Sequence, residues 1–297
     1  MALLGLFGKL NLPQALFFSF LYNFGWNLCH FITVLLQMHS PETRVVDDYQ
    51  ISNVYLFAAV FSFTANCFLR TPALSKNHLY SHSSRIMALT GSFFVFLSFC
   101  TTTTFFPVKF TPAQAEFARS YIWQEAFLAI FFAMSSSVIS STALAVLFNG
   151  KTGVWEVILG IICGGIVFGP IAGTAVNIGA AITCGIISGI IVSIYRWKIH
   201  RRVNDDRVDD CYGAFGVFIV SLVSTFGIAP IILITYYVRT WILPTLSVSN
   251  FDTKGLPLVN GSIAGWILSY VGVSIGVAIG SGLIAGIIFK LVGNSHL

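Results

Sequence analysis

Val208-Asp209-Asp210-Cys211-Tyr212-Gly213-Ala214-Phe215-Gly216-Val217-Phe218 opens a segment that runs on to Val238 with no charged residue after Asp210. Aspartates at such a start complement the dipole of a helix and can cap its free N–H groups. A helix crossing the hydrocarbon layer needs roughly 20 mostly apolar residues and must satisfy its own backbone hydrogen bonds there. The stretch reads as a membrane-crossing helix that begins at a polar boundary.

Segments of the same kind recur on both sides of it, at about 12–38, 51–69, 86–108, 120–148, 154–170, 172–195 and 260–292, with this one covering 211–238. Only a tight break at Gly169, Pro170 and Gly173 separates the fifth from the sixth. The whole chain, 297 residues at 56% hydrophobic and 9% charged, has a mean hydropathy of +0.84. That balance excludes a water-soluble globule. The expectation is an all-α, polytopic integral membrane bundle of about eight transmembrane helices, with residues 1–297 forming a single transmembrane domain.

Basic residues are unevenly shared between alternate loops. Lys9, Arg70, Lys76, Arg85, Lys151, Arg196, Lys198, Arg201, Arg202, Arg207 and Lys290 fall on one side, and Arg44, Lys109, Arg119, Arg239 and Lys254 on the other. Lys and Arg concentrate on the side where the chain is made. Both termini are therefore expected on the inner side, as an even number of spans requires. The net charge of +5 comes from short loops at helix ends, where anionic membrane lipids account for it, so nucleic acid is not expected as a partner. The start, Met1 to Leu12, has one Lys and no Arg, so no cleavable signal or transit peptide is read there.

Cys29, Cys67, Cys100, Cys163 and Cys184 lie inside apolar spans and Cys211 opens the seventh, without C-x-x-C or Cys/His ligand spacing. They read as small buried hydrophobes rather than disulfides or metal ligands. No phosphate-cradling loop, H-E-x-x-H or G-x-S-x-G occurs, so no enzyme, metal or cofactor is expected. Carboxylates avoid the span centres: Glu125 and Glu156 sit near helix ends, and Asp47, Asp48, Asp205, Asp206, Asp209 and Asp210 lie in loops or at helix starts. That distribution argues against a proton-coupled relay.

Small and polar residues remain. Gly165, Gly169 and Gly173, Gly272, Gly276 and Gly280, and Gly185 with Gly189 recur at four-residue spacing, which lets membrane helices pack closely. Thr101–Thr104 and Ser135, Ser136, Ser137, Ser140 and Ser141 can bond back to helix carbonyls and need line nothing. Asn23, Asn27 and His30 share one face of the first span, beside Trp26, and that stripe is expected to point into the bundle.

The opening stretch also resembles, without a gap, the helix start of the ammonium transporter/Rhesus (Amt/Rh) family, where an Asp-rich loop leads into F-G-V-H-G. Other segments follow in the family's order. Gly8-Lys9-Leu10-Asn11-Leu12-Pro13-Gln14 resembles G-K-x-S-P-x-Q, Thr90-Gly91-Ser92-Phe93-Phe94 resembles I-G-T-L-F, and Gly164–Gly169 resembles G-G-V-A-I-G. Leu283–Leu291 resembles the final helix, and Asp47 to Phe63 can be laid on D-x-G-G-x-x-x-I-H-x-F-G-A-x-F-G-L. The resemblance implies the last eight of the family's spans, with the first three or four missing.

It also implies which residues stand at the pore. The family's two pore histidines fall on Tyr55 and Phe218, and its pore Phe-Asn pair on Thr102 and Thr103, while Asp47, Asp209 and Asp210 are structural helix-start acids. A phenol is a poor proton acceptor near neutral pH and phenylalanine offers no donor or acceptor, so neither replaces the imidazole relay. The resemblance thus implies vestigial pore positions and a non-conducting, repurposed scaffold. On this reading the chain is a structural or accessory subunit of a larger membrane complex, such as a respiratory or ATP synthase assembly of the mitochondrial inner membrane. Other subunits and lipids would cover the face left by the missing helices. The alternative is a shortened channel for ammonia or another small neutral solute, using the Asn23, Asn27 and His30 stripe.

Overall fold

The computed structural model describes residues 12–39, 51–69, 82–105, 115–169, 178–199, 214–223 and 262–293, and among them every regular element is helical. The helices are α1 (Leu12–His39), α2 (Ile51–Leu69), α3 (His82–Phe105), α4 (Ala115–Asn149), α5 (Val154–Phe168), α6 (Ile178–Ile194), α7 (Ala214–Val223) and α8 (Ser262–Gly293). Each falls on one of the apolar segments read from the sequence. α3 and α4 begin a few residues earlier than expected because polar starts such as His82-Ser83-Ser84-Arg85 can wind as helix once beyond the hydrocarbon. α6 does not stop at its apolar end but runs on as a π-helical turn, Tyr195–Ile199. Residues 224–238, expected to complete the seventh span, lie outside the described residues.

Apolar stretches of full membrane length occur at Ala126–Phe148, Ile178–Ile199 and Leu268–Lys290, and shorter ones at Asn53–Cys67, Ile86–Thr101 and Val154–Phe168. The chain is a polytopic membrane helical bundle. Helix α5 is the most enclosed of these: from Ile158 to Phe168 every residue is buried. Gly160, Gly164 and Gly165 explain the position, since they let α4 and the Phe99 ring approach the α5 backbone closely.

Glycine and serine set the packing of α4, α5 and α6. Ser136 Oγ donates to Ile182 O at 3.1 Å and Ser140 Oγ to Ile186 O at 3.3 Å, while each also reaches its own helix, at Ala133 O and Ser137 O. Opposite them stand Gly185 and Gly189, where a Cβ would collide with those serine hydroxyls and with backbone of α4. Gly160 and Gly164 of α5 meet Ser141 and Ser137 in the same way, and Ser141 Oγ donates to Glu156 O at 3.0 Å. The serine run thus bonds back to its own helix, as the sequence suggests, and also bridges to two neighbours. The register, with Ser137 against Ser188 and Ser141 against Ser193, makes α4 and α6 parallel and α5 antiparallel to both.

A second apolar cluster joins α1, α2 and α8 through Phe18, Cys29, Phe57, Phe61, Ala278, Ala285 and Phe289. A Cβ on Gly25 would approach the Ser281 side chain to 2.9 Å, and one on Gly282 would approach Phe61 O to 2.8 Å, so both glycines let the helices come close and Gly282 lets them touch by backbone. Phe18 meets Phe289 and Gly25 meets Ser281, so α1 and α8 run antiparallel. Not every glycine stripe behaves this way. Gly272, Gly276 and Gly280 have nothing within 4 Å of the place a Cβ would take, and all three lie on the outer face of α8.

Candidate functional site

Tyr55 lies on α2, one turn into the helix, because the apolar run Leu56 to Phe61 is buried on nearly all sides and carries its neighbour inward. Its ring stacks on Phe99 of α3, with centroids 5.3 Å apart and planes 18° from parallel. Phe99 in turn covers Gly165 of α5, where a Cβ would stand 2.9 Å from three atoms of the ring. The glycine thereby makes room for an aromatic side chain rather than for another backbone. Tyr55, Phe99 and Gly165 form a continuous layer from α2 through α3 to α5.

Phe218 lies on α7 and packs against both apolar clusters of the molecule. Phe215, one turn earlier, is 5.7 Å from it and also meets Phe63 of α2 at 5.6 Å and Tyr195 at 6.2 Å. Gly216 allows that approach, since a Cβ there would come 2.8 Å from the Tyr195 ring. Tyr55 and Phe218 therefore both pack against the larger core cluster. The Tyr55–Phe99 layer offers one hydroxyl and two rings, neither of which accepts a proton as an imidazole does.

The polar stripe of α1 is placed differently from expectation. Asn23, Asn27 and His30 are exposed, and the buried face of the helix is Phe18, Gly25, Cys29 and Thr33. The physical reason is a competition between adjacent positions. Each stripe residue follows a core residue by one, Asn23 after Tyr22, Asn27 after Trp26 and His30 after Cys29, which turns it about 100° around the helix. Tyr22 and Trp26 pack edge-on against Phe57 and Phe61, and aromatic burial on that scale outweighs the amides. Asn27 Nδ2 instead donates to Asn23 O at 2.8 Å, and His30 stacks on Trp26.

Thr102 and Thr103 lie in the last turn of α3, and their side chains, like the helix-start acids Asp47, Asp209 and Asp210, lie outside the described residues. Cys29, Cys100, Cys163 and Cys184 are buried, as small hydrophobes are, and form no disulfide.

Sequence reasoning missed two features. Phe99 carries no motif, and only its spacing from Gly165 across helices makes it part of the layer. Glu156 and Arg196 are 40 residues apart, yet Arg196 Nε donates to Glu156 Oε1 at 3.3 Å, with the carboxylate buried in the first turn of α5. Neither contact has a local signal.

The same backbone arrangement is found in solved structures of Rhesus and Amt proteins. The Rh50 protein of Nitrosomonas europaea, of the Rhesus protein family of channels, superimposes with a TM-score of 0.63 at 20% identity over 98% of this chain and 67% of that one. A sensor Amt protein superimposes with a TM-score of 0.58 at 15% identity, over 84% of this chain and 56% of that one. No protein-family model matches the sequence, and no curated protein does. The fold is that of the Amt/Rh proteins, of which this chain spans two thirds or less.

Proposed function

We propose that this chain is a non-conducting Amt/Rh-type scaffold that serves as a structural subunit of a larger membrane complex, and not as an enzyme. The observation that carries the proposal is the Tyr55–Phe99 stack over Gly165, which puts a packed aromatic layer where the resemblance expects a pore histidine. Phe218, at the second such position, adds a side chain that can neither donate nor accept a proton. A shared fold does not bring the activity of its relatives, because activity resides in the site.

The outer face of α1 supports the accessory role. Asn23 and Asn27 straddle the middle of a 28-residue helix and are exposed, together with Phe20, Phe24 and Phe31. Amides at that depth favour a covering helix able to hydrogen-bond over lipid tails alone. Other membrane-protein subunits are the partners we propose for this face. For the host we propose an energy-converting assembly of the mitochondrial inner membrane, respiratory or ATP synthase, with both termini on the inner side. The loop charges and the antiparallel run of α1 and α8 support that orientation.

An ammonia-flux assay on purified protein in liposomes tests the proposal. The expected result is a flux equal to that of protein-free vesicles. A flux clearly above that level would overturn the non-conducting reading in favour of a shortened ammonia or neutral-solute channel.

A further inference from the structure

The π-helical turn Tyr195–Ile199 ties its successive residues to three different helices. Tyr195 is buried against Gly216 and Phe215 of α7, Arg196 bonds Glu156 of α5, and Trp197 stacks on Phe148 of α4 with centroids 4.7 Å apart and planes 7° from parallel. Successive helical positions point about 100° apart, so three residues in a row can reach three different neighbours, and π-turns are frequent at functional sites.

The outward side of this hub is cationic and aromatic. Lys198 Nζ lies 4.9 Å from the Trp197 ring centroid, and both residues are exposed. Lys151 is exposed in the turn after α4, where Gly150 with φ 68° reverses the chain. Because α4 and α6 are parallel, these lysines stand at the same end of the bundle, just beyond or at the ends of the apolar stretches Ala126–Phe148 and Ile178–Ile199. Glu156 is the nearby carboxylate, and it is buried and committed to Arg196. Among the described residues, the exposed charge of the corner is thus positive.

We propose that this corner, formed by Lys151, Trp197 and Lys198 on the frame set by Arg196, binds the phosphate headgroup of an anionic phospholipid. Trp197 and Phe148 lie along the acyl-chain boundary while the two ammonium groups face the phosphate. The depth fits: Trp is the residue that settles at headgroup level, with an apolar ring and a polar edge. Charge complementarity selects an anionic lipid over a zwitterionic one. The site stands apart from the pore positions and is independent of whether the chain conducts.

Delipidated full-length protein in detergent, titrated with phosphatidylglycerol or phosphatidylcholine and read by native mass spectrometry, tests the assignment. Wild type is expected to retain phosphatidylglycerol selectively, and the double variant Lys151→Gln/Lys198→Gln to bind it about 30-fold more weakly, from the contribution of two lysines near a membrane surface. Lys290→Gln, at the end of α8, serves as a folded control and should bind as wild type does. Equal retention of both lipids, or unchanged binding by the double variant, would overturn the site. Displacement by equimolar inorganic phosphate would mean a free-anion site and would equally overturn the lipid assignment.

Discussion

Single residues decide the chemistry of this molecule in two places. At Tyr55 and Phe218, aromatic rings occupy positions that the Amt/Rh resemblance assigns to histidine, and this difference is readable from sequence because the flanking residues align without a gap. At Glu156 it is not readable. Its carboxylate is buried in the first turn of α5, favoured there by the helix dipole and held by one guanidinium N–H. Glu156→Gln keeps the shape but leaves Arg196 without its counter-charge. The variant should unfold in detergent with stability lower by roughly 1–3 kcal/mol, less than for a fully buried pair because the Arg196 side chain is 20% exposed. Thermal unfolding measures this, and pairing it with Arg196→Gln should recover part of the loss. A Glu156→Gln protein as stable as wild type would show that the pair contributes nothing.

Among the elements, glycine repeats that look alike in sequence have opposite roles. Gly185 and Gly189 bring α6 onto the serines of α4, Gly165 seats the Phe99 ring, and Gly272, Gly276 and Gly280 face outward with nothing near them. Four-residue spacing announces a smooth helix face but not which helix meets it. Gly185→Ala should cost about 1–3 kcal/mol, since its methyl would meet backbone of α4 at Ala133 as well as the movable hydroxyl of Ser136. Gly276→Ala, in open space, should instead be neutral or stabilise by up to about 1 kcal/mol through helix propensity. Comparing the two unfolding temperatures checks both expectations at once, and equal destabilisation would contradict the packing described.

For the whole molecule, the contest between the polar and aromatic faces of α1 goes to the aromatic one, and the proposed accessory role rests on the face left outside. The covalent pattern placed Asn23, Asn27 and His30 on one face, and the structure turned that face outward by packing Tyr22, Trp26 and Cys29 inward. The proposed accessory role predicts the behaviour of Asn23→Leu/Asn27→Leu. In detergent the variant should unfold like wild type, because neither side chain is buried. Under mild solubilisation its co-migration with partner subunits on native gels should fall. A wild-type chain that runs alone or as a simple homo-oligomer would count against the accessory role itself.

Sequence alone determined the membrane class and the positions of the apolar helices, and the resemblance it carries implies the departure from histidine at Tyr55 and Phe218. These follow from local quantities: hydropathy over a helix length, charge in short loops, and residue identity within an ungapped stretch. Only the tertiary structure decided that Phe99 joins Tyr55, that Arg196 reaches Glu156, that the serine run bridges three helices and that the polar stripe faces out. The physical reason is that each of these depends on the rotation of one helix against another. Adjacent positions differ by about 100° around a helix, so rotation is settled by the summed packing of every face and not by any one motif.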